Sequence, residues 1–335
     1  MDPVTQGTLG AALPQSLARS ERMGLAMLCG IAGGMAPDLD VLIRSADDPL
    51  LFLEYHRQFT HSLIFIPVGA AIVALALWGA LGRRLGWSLR DIYVFSGLGY
   101  ATHALLDACT SYGTLLFWPF SDQRFAWNNV SIIDPLLTLP LIILVVASRV
   151  RRRRWPAVLG MFWVVAYLSM GVIARDAAED QGRRLADSRG HAPAVVEAKP
   201  SFANLLLWKT IYQEAGSYYV DAVRLGAEPV VYTGSTVPVL DLTRDFPWLE
   251  QGSLQARDVD RFRWFSMGYL AADPRFPDRI MDVRYSLLPN EIRSLWSIQL
   301  NPEAQDSKHV DYVVSRERGP GTFPRLWTMI RGRPL

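Results

Sequence analysis

Ile92-Tyr93-Val94-Phe95-Ser96-Gly97-Leu98-Gly99-Tyr100-Ala101-Thr102-His103-Ala104-Leu105-Leu106-Asp107-Ala108 is an apolar run of membrane length that carries a histidine and a carboxylate four residues apart. In a helix that spacing sets His103 and Asp107 on one face, about one turn apart, where a metal ion can bridge them. Ionisable side chains in such a run are costly to bury, so they face a polar cavity, pair with one another, or do chemistry. Ser96 and Tyr100 continue the same face, so a polar seam between packed helices is the alternative to a site.

Apolar residues make up 50% of the 335-residue chain and crowd into its first half. A span needs roughly 20 predominantly apolar residues to cross about 30 Å of hydrocarbon. Residues 61–81, 92–108, 132–147 and 156–174 meet that requirement. A fifth segment, 23–36, is shorter and glycine-rich, and is either a short span or a re-entrant piece. Within it Gly30 and Gly34 form a small-xxx-small face that permits close helix packing. No cleavable signal peptide is expected, because Asp2 stands where a basic cluster would precede an apolar core.

From about Arg175 the composition turns polar. The chain therefore reads as mainly α: a polytopic α-helical membrane domain of four to five transmembrane segments (residues 1–174), a linker helix (175–200) and a soluble α+β domain (201–335). Strands are expected at 208–212, 218–225, 229–233, 279–287 and 292–300, where aromatic and β-branched residues cluster between turns, with a helix at 258–270. This domain holds no catalytic constellation, and its isolated His191 and His309 read as solvated. Cys29 and Cys109 form neither a CxxC pair nor a disulfide framework.

Lys and Arg accumulate in short cytoplasmic loops. Arg83, Arg84 and Arg90 mark one such loop, and Arg149 with Arg151, Arg152, Arg153 and Arg154 marks another. Alternation then puts loops 37–60 and 110–130, and everything after Ala174, on the outer side, with Arg19 and Arg22 at an inner N-terminus. The arginines thus serve topology, and the net charge of +2 says little about partners. No aromatic-basic interleaving points to nucleic acid.

Candidate ligands converge on the outer face. Asp38 and Asp40 close the first segment, His56, Arg57 and His61 open the second, His103 and Asp107 lie in the outward half of the third, and Asp134 begins the fourth. Each has a bland alternative: Asp38 and Asp40 as helix terminators, Asp134-Pro135 as an N-cap with proline at the first helical position, His56 or His61 as an interfacial histidine. Histidine nitrogen with carboxylate oxygen suits zinc, manganese or iron better than magnesium or calcium. Asp38, His56, His61, His103 and Asp107 are the expected ligands of one to three divalent ions, zinc first. Asp40 or Asp134 could be the general base. Arg57 could bind a substrate phosphate through its fork of donors, with Arg124 a second candidate for that work.

The set Pro37-Asp38-Leu39-Asp40, His56-Arg57, Thr60-His61-Ser62, His103-Ala104-Leu105-Leu106-Asp107 and Asp134-Pro135, the last after a loop with Trp118, Phe120 and Trp127, resembles the YdjM-like membrane-bound metal-dependent hydrolases. The resemblance covers residues 7–174. At its HxxxD element it extends distantly to zinc-dependent phospholipases C and single-strand nucleases of the P1 type, although this chain has only one HxxxD. It implies an inner-membrane, metal-dependent hydrolase with a site mapping to Asp38, Asp40, His56, His61, His103, Asp107 and Asp134. Phosphoester or lipid-linked ester substrates would be met by Arg57, Arg124 and Trp127 at the periplasmic face. A transporter would line both halves of the membrane with polar groups, whereas the inner halves here are apolar. A scaffold with a structural metal would close its coordination shell, whereas a catalytic site keeps a water.

Overall fold

A computed structural model describes residues 1–304, 306–315, 319 and 321–335. It divides into two compact units, Met1–Ile43 with Tyr55–Val172 and Phe202–Asn204, and Arg44–Glu54 with Ile173–Ser201 and Leu205–Leu335.

The first unit is helical. It opens with α1 (Pro3–Leu17), which the sequence did not announce; Asp2 caps it by accepting from the Val4 and Thr5 amides, and Pro3 occupies the first turn, where a missing N–H costs nothing. Next come α2 (Met23–Met35), running into a 3₁₀ stretch at Ala36–Leu42, and, mostly within the segment Arg44–Glu54 that belongs to the second unit, the short α3 (Leu51–Tyr55). Then α4 (Ile66–Leu77) continues through a π turn into α5 (Arg83–Leu85), where Gly86 takes the left-handed conformation that stops the helix. Three further helices follow: α6 (Leu89–Ala108), α7 (Pro135–Arg151) and α8 (Trp155–Ser188), whose residues from Ile173 on belong to the second unit. Thus α8 runs unbroken through most of the stretch expected to be a separate linker helix.

Among the described residues three segments are long and apolar enough to cross a membrane: Ser20–Leu42, Leu63–Leu85 and Trp155–Ser188. Four to five were expected. With 17 residues, α7 is about 25 Å long, short of the hydrocarbon thickness of about 30 Å. Although α6 has the length, Arg90, Asp91, His103 and Asp107 lower its apolarity, and more than half of it is buried in protein. The glycine-rich segment, by contrast, qualifies through its 3₁₀ extension.

Glycines set the helix spacing. A Cβ on Gly30 would stand 2.2 Å from Gly10 O of α1, and one on Gly34 2.6 Å from Gln6 O. On the neighbouring side of α2, a Cβ on Gly33 would meet Ser96 O at 2.1 Å and one on Gly99 would meet Gly30 O at 2.3 Å. So the small-residue face of α2 serves α1 and its other side serves α6. The helices run in alternating directions. The start of α2, Trp87 before α6 and the end of α7 share a cavity, so Arg149 and Arg152 gather at that end.

In the second unit β1 (Val196–Pro200), β2 (Leu207–Glu214), β3 (Ser217–Arg224) and β4 (Val230–Pro238) form one antiparallel sheet in sequence order. After α9 (Leu242–Asp245) and α10 (Leu254–Phe265), β5 (Leu270–Ala272), β6 (Arg279–Asp282), β7 (Trp296–Gln299) and β8 (Asp311–Val314) form a second antiparallel sheet. Ile211, Tyr218, Val220 and Val237 of the first share a core with Ala271, Met281 and Val283 of the second region. A final helix, α11 (Thr322–Ile330), buries Leu326 and Met329 against Leu207, Ala222 and Tyr232. Residues 44–54 join this unit because Arg261 of α10 pairs with Asp48 at 2.7 Å and with Glu54. Neither histidine here is simply solvated: His191 Nδ1 lies 3.0 Å from Tyr212 Oη, and His309 Nδ1 2.9 Å from Asp258.

Lys209 is buried in β2 and donates to Ser286 Oγ and Glu291 O, each at 2.9 Å. Burial pushes its ammonium down to about 7, with Asp282 pulling the other way. The folded pKa lies below the unfolded one, so between about pH 7 and 10 the unfolded chain binds more protons and stability rises with pH. Pulse proteolysis of the full chain in urea should show this unit gaining up to about 1.4 kcal/mol per pH unit. Lys209→Met should flatten the slope.

Candidate metal centre

At the end of the first unit opposite the arginines, three segments deliver side chains. The 3₁₀ stretch after α2 presents Asp38 and Asp40, a 3₁₀ turn at Phe59–His61 presents His61, and the last turns of α6 present His103 and Asp107. Asp38, His61, His103 and Asp107 each turn one donor atom into a group whose members lie within 4.8 Å of one another. His61 Nε2 is 2.9 Å from His103 Nε2, 3.5 Å from Asp38 Oδ1 and 3.4 Å from Asp107 Oδ2. His103 Nε2 is 3.4 Å from Asp38 Oδ1 and 3.8 Å from Asp107 Oδ2. Donors bound at 2.0–2.1 Å around a tetrahedral ion stand about 3.3 Å apart, the middle of that spread.

The donor set fits a metal on two further observations. Asp107 Oδ2 is buried and accepts no hydrogen bond; Arg57 Nε lies 3.0 Å away without hydrogen-bond alignment. His103 Nδ1 is 2.6 Å from Gly34 O, and a carbonyl only accepts, so Nδ1 carries the proton and Nε2 turns a bare lone pair to the group. His61 has the matching arrangement, with Nδ1 3.2 Å from Asp40 Oδ2.

The remaining expected site residues fall around these four. Asp40, a candidate base, stands behind His61 and accepts from Thr60 Oγ1 at 2.7 Å and the Arg57 amide at 3.1 Å. His56, expected as a ligand, lies outside the four-donor group; its Nδ1 sits 2.7 Å from Asp40 Oδ1. Burial pushes His56 down against the opposing pull of Asp40, so it is neutral at pH 7 and donates to that carboxylate. Arg57 is engaged rather than free for a phosphate: its Nη1 donates to Thr110 Oγ1 at 3.0 Å while Nε faces Asp107. The residue takes a left-handed φ of 66°, a conformation uncommon for a side-chain-bearing residue, which the Asp40 contact to its amide helps hold.

Asp134 performs the capping role of its bland alternative. It accepts from the Leu136 and Leu137 amides at the start of α7 and from Tyr167 Oη at 2.8 Å, outside the four-donor group. Arg124 donates to Tyr112 O and Gly113 O and so ties its own loop. The Trp127 amide donates to Ala108 O, pinning that loop to the end of α6, with the residue 40% exposed. Sequence reasoning missed Gln6, whose Nε2 donates to Asp107 Oδ1 at 2.8 Å, and the Met1 amino nitrogen, which pairs with the same oxygen. The single available signal was a glutamine inside a Gly- and Ala-rich stretch.

Residues 1–178 match the family described as "YdjM inner membrane protein". The chain is also similar to "Inner membrane protein YbcI" of Escherichia coli (strain K12), with 34% identity over 113 residues. That alignment covers 32% of this chain and 61% of the relative, so the chain spans less than two thirds of the relative's length. No solved structure matches.

Proposed function

The chain belongs to the YdjM inner membrane protein family, and from that premise we propose that it is a metal-dependent hydrolase acting on a phosphoester or other ester that is lipid-linked or held at the membrane surface. The observation carrying this reading is the mutual spacing of Asp38, His61, His103 and Asp107. A zinc ion there would bring the pKa of bound water towards about 7 and polarise the ester. His61, His103 and Asp107 are wholly buried and would hold the ion, whereas the Asp38 side chain, 23% exposed, is the donor open to a substrate or to a water proton. Asp40 orients His61, and Arg57 fixes Asp107. One observation favours a second reading: four protein donors complete a tetrahedral shell, as structural zinc sites do.

Turnover separates the two. Purified zinc-loaded protein is expected to hydrolyse at least one member of a panel of aryl phosphomonoesters, phosphodiesters and phospholipids. Asp38→Asn should keep most of the metal through its three buried donors and lose that activity. Full metal occupancy with no turnover on any ester would overturn the hydrolase and leave the structural metal.

On the same reading the metal end and the C-terminal domain face the periplasm, with the arginine-rich turns in the cytoplasm. Topology reporters fused after Arg154 and after Leu335 should report opposite sides. The same side for both would contradict this orientation.

A further inference from the structure

At the opposite end of the first unit, a cavity of about 470 Å³ opens between the end of α1, the start of α2 and the α7–α8 turn. Its volume falls within the range of small-molecule sites, roughly 300–1,000 Å³. Arg19, Arg152, Arg153 and Arg154 line it, with Glu21 the one acidic residue in the lining. Among the described residues no carboxylate comes within 4.0 Å of any of these four guanidinium groups, whereas the nearby Arg22 is paired with Asp91.

The turn that carries three of the arginines is braced. Arg152 closes α7 in the left-handed conformation, at a φ of 52°, and buried Ser148 accepts from the Arg153 amide at 3.2 Å while its hydroxyl donates to Arg153 O at 2.8 Å. The amino end of α8 begins at the cavity and adds partial positive charge. Trp155 lines the rim and is 52% exposed. Beyond it the outer faces of α7 and α8 leave Ile143, Val150, Val158 and Phe162 exposed, an apolar path leading away from the arginines. Four unpaired forks of donors at the head of such a path match a phosphate that carries hydrocarbon tails.

We propose that this cavity binds the phosphate headgroup of an anionic phospholipid, with the acyl chains lying along the exposed faces of α7 and α8. The shared chemistry is a phosphate in a guanidinium cage, and the apolar path selects the lipid over a free ion.

The test uses the full chain in nanodiscs of phosphatidylglycerol or phosphatidylcholine, with native mass spectrometry of retained lipid and inorganic phosphate as competitor. Wild type is expected to retain phosphatidylglycerol about tenfold over phosphatidylcholine, the worth of one charge-assisted hydrogen bond, and to keep it against phosphate. The double variant Arg19→Gln with Arg153→Gln should bring the preference near unity. If that variant fails to insert, Arg19→Gln alone, which leaves the Arg151 to Arg154 run intact, is expected to lower it severalfold. No preference in wild type, or an unchanged preference in every variant that inserts, would overturn the proposal. Displacement of the lipid by inorganic phosphate would assign the cavity to the free ion and overturn the lipid assignment.

Discussion

His103→Ala is expected to lose the metal and, with it, ester hydrolysis, while the helices stay assembled. The substitution removes one donor of the group and the Nδ1 contact to Gly34 O. Changing the outer partner of a metal-bound histidine typically costs about 10–100-fold in affinity, and loss of the donor itself should cost more. Asp107→Asn should lose metal as well, but with a second effect. Asp107 is the counter-charge for buried Arg57 and accepts from Gln6. Removing one member of a buried ion pair costs about 3–5 kcal/mol, so this variant should also unfold more readily. Metal content measured beside thermal stability distinguishes the two variants. Metal held at the wild-type level by both variants would remove His103 and Asp107 from the centre.

The second large effect is expected from Gly99→Leu. A Cβ at Gly99 would stand 2.3 Å from Gly30 O, 2.9 Å from Gly30 Cα and 3.0 Å from its carbonyl carbon, all backbone of α2 and unable to swing aside. Overpacking a core costs about 1–3 kcal/mol when side chains can shift, and a backbone-on-backbone clash should exceed that. Separating α6 from α2 would also pull His103 away from Asp38, so metal affinity should fall together with the yield of folded protein. Gly79→Leu is the matched control, since nothing lies within 4 Å of a Cβ there. Comparable folding and metal content for the two variants would contradict this packing.

Features that depend on local spacing were legible in the chain. Four residues separate His103 from Asp107, and helical geometry alone puts them on one face. The small-residue pair Gly30 and Gly34 likewise implied a close neighbour, but the neighbour is α1, a helix with too little periodicity to stand out. Composition alone overstates the number of spans, because an apolar run such as 132–147 carries no signal of where its helix begins and ends. The resulting α7 is short, and α6 spends its polar face inside the protein.

The ranking of carboxylates and histidines around the centre was not legible. Asp38 and Asp40 are two residues apart in a 3₁₀ turn, which sends one to the donor group and the other behind His61. His56 and His61 part in the same way, through the left-handed turn at Arg57. Strands β5 and β8 are only three and four residues long, and tertiary pairing rather than propensity creates them.

The most direct test of the metal centre is elemental analysis with X-ray absorption spectroscopy on the purified full-length protein. The predicted result is one tightly held transition metal per chain, zinc foremost, coordinated by two imidazole nitrogens and carboxylate oxygens. Folded protein that stays metal-free after incubation with excess zinc, manganese or iron would contradict it.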